Sequence, residues 1–179
     1  MRDTLVLTVI GPDRTGLVEA LAERVAAAGG NWEASHMTRL AGQFAGLLLV
    51  SVERERTDEL VASLTALDSR GLHVVSRTAE AVAAPRGRRM QLTLTGNDRP
   101  GIVRDVARLI NAQGVNIEEL ESEVQSAPMS GDAMFVARAV LQIPVQLALT
   151  ELRRALESLG GELMVDLSDA DEAPADRRD

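Results

Sequence analysis

Apolar and polar positions along this chain follow two different periods. The stretch "TLVLTVIG" at residues 4–11 is rich in β-branched side chains and predicts a strand. The following "TGLVEALAERVAAAGG" has apolar residues three or four positions apart, as in an amphipathic helix that ends at glycines. The pattern then predicts two strands joined at Ala41-Gly42, a helix that begins near Thr57 and a strand after Gly71. The order of elements is therefore β-α-β-β-α-β.

The same order repeats 85 residues later in the chain. "TVIGPDRTGLVEAL" begins at Thr8 and "TLTGNDRPGIVRDV" begins at Thr93, and this shift also aligns Asn31 with Asn116. Register is lost only where "SAPMSGD" adds four residues to the second copy. The repeat predicts an α+β protein with two ferredoxin-like βαββαβ units, each an antiparallel sheet with its helices on one face.

Composition shifts suggest the boundaries of these units. We predict a first domain at 1–81, a linker at 82–89, a second domain at 90–168 and a disordered acidic tail at 169–179. The linker is rich in arginine and contains a proline and a glycine. The tail is highly charged and has no apolar periodicity.

The first strand of copy one is apolar on both sides. Leu5, Leu7 and Val9 alternate with Val6 and Ile10, although a sheet with helices on one face only should alternate apolar with polar residues. We therefore predict that the second face of this sheet is buried against the other copy or another chain, with a homodimer as the expected assembly. Copy two instead alternates Met90, Leu92 and Leu94 with polar residues.

Charge and composition exclude several classes of function. The 179 residues carry a formal net charge of -8, which argues against direct binding of nucleic acid. There is no cysteine, and the two histidines, His36 and His73, have no acidic partner at metal-ligand spacing, so no metal site and no cofactor are predicted. No nucleophile–base pair is evident, which predicts a protein that is not an enzyme. No apolar run is long enough to span a bilayer and no signal peptide is recognisable, so we expect a cytoplasmic protein without a membrane partner.

The repeated Gly-x-Asp-Arg-x-Gly turn is the best candidate for a binding site. It lies between a strand and a helix, where unpaired N–H groups and the helix dipole attract an anion. The chain contains no lysine, and the glycine spacing fits neither a phosphate-binding loop nor a dinucleotide site.

Individual residues of this turn have two possible roles. Asp13 and Asp98 suit either a ligand contact or a simple helix cap. Asn31 and Asn116 begin the next strand, and we expect that strand end to lie beside the turn, where an amide can bind both ends of a small amino acid. Such an asparagine is also a common turn residue, so both interpretations stay open.

"GPDRTGLV…AAAGGNW" and "GNDRPGIV…NAQGVNI" resemble the most recognisable stretch of ACT domains. The resemblance covers residues 3–168, and two such domains without a catalytic domain are most similar to the glycine cleavage system regulatory (transcriptional repressor) proteins. Thr15 replaces the more typical proline that copy two has at Pro100, so the turn of copy one departs from the family pattern.

The resemblance implies an amino acid effector, glycine or serine, bound at domain interfaces by the first turn and the start of the second strand. The implied ligand-binding residues are Asp13, Arg14, Gly16, Asn31, Asp98, Arg99, Gly101 and Asn116. Because the chain is acidic and has no helix-turn-helix pattern, we expect it to act through a protein partner such as a transcription regulator. The alternative is an effector-binding or oligomerisation module that controls a metabolic enzyme in trans.

Overall fold

The computed structural model describes residues 1–80, 87–126, 131–160 and 163–170. The chain divides into two compact units, residues 1–82 and 83–179. Most of the predicted linker and of the predicted tail lies outside the described residues. None of the described helices has the length and apolar content needed to cross a membrane.

Unit 1 has the predicted βαββαβ order. Its main elements are β1 (Arg2–Pro12), α1 (Leu17–Ala27), β2 (Asn31–Leu40), β3 (Gln43–Glu53), α2 (Thr57–Thr65) and β4 (His73–Thr78). Short 3-10 helices at Arg54–Arg56 and Ala66–Arg70 flank α2. The sheet order is β2-β3-β1-β4, and every neighbouring pair is antiparallel.

Unit 2 repeats this arrangement. Its elements are β5 (Arg88–Asn97), α3 (Ile102–Ala112), β6 (Asn116–Ser126), β7 (Ala133–Ile143), α4 (Leu149–Glu157) and β8 (Met164–Asp169), in the sheet order β6-β7-β5-β8. The predicted ferredoxin-like architecture is therefore confirmed in both units. β5 begins at Arg88, because Arg88 and Arg89 pair with Ile143 and Gln142 of β7 and so form strand where the sequence predicted linker.

Each unit has its own apolar core between its sheet and its helices. In unit 1, Leu7 and Val9 of β1 are fully buried with Leu21 of α1 and Leu60 of α2. Burial of each large aliphatic side chain contributes about 1.5–3 kcal/mol to folding. This core orients β1 and α1 and so fixes the turn between them.

The second face of the unit 1 sheet is exposed in the chain. Ile10, Leu47 and Val75 keep 48%, 51% and 57% of their surface accessible. No described element of unit 1 itself covers this face, and its burial against the other copy or another chain stays a prediction. The helices of unit 1 pack against the opposite face, which carries the core residues.

Gly11, near the end of β1, packs directly on the chain segment that leads into β4. A Cβ atom added at Gly11 would lie 2.4 Å from the carbonyl oxygen of Gly71. Since that neighbour is backbone, it cannot rotate away. The close approach holds the end of β1, and hence the turn that follows, against the start of β4.

We predict that Gly11→Ala destabilises unit 1 by about 1–3 kcal/mol, because the new methyl group forces the two backbones apart. Trp32 is the only tryptophan and packs against the unit 1 core, so urea unfolding followed by its fluorescence reports this unit. Thr8→Ala, at an exposed position of the same strand, is the control and should cost less than about 1 kcal/mol. Equal stability of Gly11→Ala and wild type would contradict the close packing.

Candidate functional site

The repeated turn has the same backbone geometry in both units. Gly16 starts α1 and Gly101 starts α3, each with φ 86° and ψ 5°, in the left-handed region that favours glycine. No side chain caps either helix. The interpretation of Asp13 and Asp98 as helix caps is therefore wrong, because the capping position belongs to a glycine three residues later.

The aspartates instead tie the turn to the neighbouring strands. The backbone N–H of Asp13 donates to the carbonyl of Gly42 in the β2–β3 hairpin, and that of Asp98 donates to the carbonyl of Ala133 at the start of β7, both at 2.9 Å. The Asp13 carboxylate also lies 3.3 Å from Arg39 at the end of β2. This ion pair is largely exposed, so its contribution to stability is about 0–1 kcal/mol.

The two arginines of the turn have different partners. Arg14 donates to the carbonyl oxygen of Arg70, just before β4. Arg99 instead donates to the carboxylate of Asp105 on α3 at 2.7 Å, and Arg104 donates to the same carboxylate at 2.9 Å. Hydrogen bonds from Arg99, and then from Arg104, lower the pKa of Asp105. Unit 1 has Ala20 at the position of Asp105, so Arg14 has no matching carboxylate.

A cavity of about 340 Å³ opens beside the turn of unit 1. Its volume lies within the range of about 300–1,000 Å³ that is usual for small-molecule sites. Residues of the turn, of α1 and of the segment before β4 line it: Arg14, Thr15, Gly16, Leu17, Glu19, Ala20, Glu23, Leu67, Arg70 and Leu72. Of the predicted site residues, the structure brings only Arg14 and Gly16 together here.

The cavity carries both signs of charge. Arg14 and Arg70 supply the cations, and Glu19 and Glu23, one helical turn apart on α1, supply the carboxylates. Among the residues that the structure describes, neither glutamate makes a hydrogen bond or an ion pair. Their carboxylates are therefore available to a ligand.

Backbone donors add to this charge pattern. The first amide of α1 bonded within the helix is that of Ala20, which donates to the carbonyl of Gly16. The preceding amides lie at the positive end of the helix dipole, where a carboxylate is stabilised. With two arginines and two glutamates in its lining, the cavity suits a small zwitterion.

Asn31 and Asn116 lie far from the turns of their own units. Asn31 pairs with Ser51, which pairs with Thr4 near the start of β1, whereas the turn follows Pro12 at the other end of that strand. Eight residues of strand separate the two ends by about 26 Å. The expectation that the asparagine lies beside the turn is therefore wrong within one unit. Within one unit, a small ligand cannot contact the turn and the asparagine at the same time.

Sequence reasoning missed Glu19, Glu23 and Arg70 as cavity residues. A signal for the two glutamates is present in the repeat, since the shift of 85 residues sets Glu19 on Arg104 and Glu23 on Arg108. Both positions thus reverse their charge between the copies. Across the described ranges, no group of three or more potential ligands is arranged to hold a metal ion.

Comparison with known proteins assigns the family. Models of the ACT domain match residues 3–75 and residues 86–161. The chain belongs to the ACT-domain family. Its two units are tandem ACT domains, as the resemblance of the two turns implied.

Full-length relatives share both domains. The chain is 26% identical over 161 residues to the glycine cleavage system transcriptional repressor of Escherichia coli K12, a match that covers 89% of this chain and 85% of the repressor. An unknown protein from Galdieria sulphuraria has a similar structure, with a TM-score of 0.83, 29% identity and coverage of 95% and 99%. A provisionally assigned glycine cleavage system transcriptional repressor shares the fold, with a TM-score of 0.66, 16% identity and coverage of 94% and 97%. The protein is therefore an ACT-domain regulatory protein related to the glycine cleavage repressor.

We predict that Arg99→Gln raises the pKa of Asp105 towards its usual range, because the hydrogen bond that lowers this pKa most is lost. A lowered pKa stabilises the fold at neutral pH, and this benefit disappears as the pH falls below about 4. The stability difference between wild type and variant should therefore be present at pH 7 and vanish in acid. NMR titration of the carboxyl carbon measures the shift.

Arg14→Gln is the matched change in unit 1 and should leave the pKa of Asp105 as it is in the wild type. An unchanged Asp105 titration in Arg99→Gln would show that this ion pair does not form in solution.

Proposed function

We propose that this protein is an amino-acid-responsive regulator of glycine cleavage gene expression, which binds a small effector in unit 1 and acts through a protein partner. Glycine and serine are the effectors that the relationship to the glycine cleavage repressor favours. The observation that carries the proposal is the cavity beside Gly16, which offers cationic, anionic and backbone groups within one small volume.

The lining residues fit the two charged ends of an α-amino acid. The carboxylate of the ligand accepts hydrogen bonds from Arg14 and from the free amides at the start of α1. The ammonium group lies against Glu19 and Glu23. Asparagines supplied by another ACT unit, as in the interface sites that the family resemblance implies, would close the site over the ligand.

Unit 1 is the better binding unit of the two. In unit 2, Asp105 already satisfies Arg99 and Arg104, so a ligand carboxylate must compete with an internal one. Asp98, Arg99 and Gly101 accordingly form a site of lower affinity in the turn of unit 2, whereas Asn116 lies at the other end of the sheet.

Charge argues for a protein partner rather than DNA. The 27 acidic residues outnumber the 19 basic ones, all of them arginine, and DNA binding needs a basic surface. A partner that binds the effector-bound and effector-free forms with different affinities couples the partner-binding site to the effector site. This coupling is reciprocal, because the partner changes the affinity for the effector by the same factor. The protein then carries out no reaction of its own. It acts by changing the fraction of the partner protein that is bound to it.

We predict that glycine or serine binds the wild type in isothermal titration calorimetry and that Ala20→Asp weakens this binding at least about tenfold. The new carboxylate takes the position of Asp105 in unit 2 and accepts a hydrogen bond from Arg14. The carboxylate of the ligand must then compete with it for Arg14. Loss of a charged hydrogen bond costs about 1.5–3 kcal/mol, which is a loss of affinity of at least about tenfold.

Asp105→Ala is the reciprocal control and should leave the main binding event unchanged. Full affinity in Ala20→Asp, loss of affinity in Asp105→Ala, or no binding of any common amino acid by the wild type would each contradict the assignment to unit 1.

In the native host, we predict that deletion of the gene raises glycine cleavage transcripts when glycine is scarce, as measured by quantitative reverse-transcription PCR. Wild-type protein restores repression that responds to glycine, whereas Ala20→Asp restores repression that does not respond, because it binds the partner without sensing the effector. Purified protein should not shift glycine cleavage promoter DNA at physiological salt. Unchanged transcripts after deletion, or a direct shift of the DNA, would contradict the proposed regulation.

A further inference from the structure

One residue of the unit 1 cavity has no chemical counterpart in unit 2. Thr15 lies between Arg14 and Gly16 and lines the cavity, whereas the shift of 85 residues places Pro100 at the same point of the unit 2 turn. Threonine supplies a hydroxyl group and a backbone N–H, and proline has neither. The two turns therefore differ in their polar groups, although Gly16 and Gly101 have the same backbone angles.

The hydroxyl group of Thr15 is available to a ligand. Thr15 is exposed, and across the described ranges its side chain makes no hydrogen bond. Other hydroxyl groups of unit 1 are used within the fold, since those of Ser63 and Thr65 donate to carbonyl oxygens of α2. A hydroxyl group that lines a cavity without an internal partner can donate to a bound molecule and accept from it.

A carboxylate lies over the same turn. The Glu19 side chain folds back towards Gly16, and its Oε2 atom lies 3.8 Å from the position that a Cβ atom on Gly16 would occupy. Thr15 directly precedes Gly16, and both Thr15 and Glu19 line the cavity. In unit 2 the guanidinium group of Arg104 takes the corresponding place, with its Nη2 atom 3.0 Å from the Cβ position of Gly101. An ammonium group is therefore stabilised at this place in unit 1 and repelled in unit 2.

We propose that Thr15 sets the specificity of the unit 1 cavity for α-amino acids that carry a hydroxyl group on the β-carbon, of which L-serine is the smallest. This inference rests on the proposed function and narrows its class of effector. The ammonium and hydroxyl groups of such a ligand are on adjacent carbon atoms, so Glu19 binds the first while Thr15 binds the second. Glycine and alanine leave the hydroxyl group of Thr15 without a partner in the ligand.

The comparison of serine with alanine isolates this one contact. The two amino acids have the same ammonium and carboxylate groups, so the charges of the cavity act equally on both. A hydrogen bond between two neutral hydroxyl groups makes a net contribution that corresponds to about a three- to tenfold change in affinity. A preference of this size for serine is therefore the expected signature of Thr15.

The test is isothermal titration calorimetry of the full-length protein with L-serine and with L-alanine. Wild type is expected to bind serine about three- to tenfold more tightly than alanine. Thr15→Val keeps the β-branched shape and the backbone N–H but removes the hydroxyl group, so its ratio of affinities should fall to about one. Thr15→Ser keeps a hydroxyl group and should retain the preference for serine.

Thr8→Val is the matched control, because Thr8 is exposed on β1 and does not line the cavity. It should show the same preference for serine as the wild type. A wild type that binds serine no more tightly than alanine, or a Thr15→Val protein that keeps the full preference, would overturn the role of Thr15 and leave the proposed function standing. A wild type that binds neither of these amino acids nor glycine would overturn both.

Discussion

The site depends on one backbone constraint, the left-handed glycine between the first strand and the first helix of each unit. At φ 86°, Gly16 lets the chain reverse within a few residues, so the free amides of α1 point into the space beside the turn. The hydrogen bond from Asp13 to Gly42 and the contact of Gly11 with Gly71 hold both sides of this reversal. Since Gly101 adopts the same angles, the geometry is common to both units, and the surrounding side chains decide what each one can bind.

The duplication has allowed the two units to specialise. Unit 1 keeps an open, charged cavity at its turn and an apolar outward face, whereas unit 2 closes its turn with the Arg99–Asp105 pair and covers the equivalent face with carboxylates. Under the proposed function, effector sensing belongs to unit 1.

Much of the fold could be predicted from the sequence, because apolar periodicity and the repeat depend on local pattern. The position of Asn31 could not, since only the antiparallel pairing of β2 with β3 shows that it lies at the far end of the sheet. The role of the cavity residue Arg70 could not be predicted either, because only the tertiary structure brings the segment before β4 to the turn. The alternative interpretation of Asp13 as a helix cap fails for a local reason, because the left-handed Gly16 already occupies the capping position.

The central claim is that an amino acid binds more tightly at the turn of unit 1 than at the turn of unit 2, although the glycine of both turns has the same backbone angles. The most direct measurement is a titration of ¹⁵N-labelled protein with glycine and with serine, followed through backbone amide shifts. The account predicts saturable shifts at the start of α1, from Leu17 to Ala20, and little change at the start of α3. Shifts confined to α3, or no saturable shift in either unit, would contradict it.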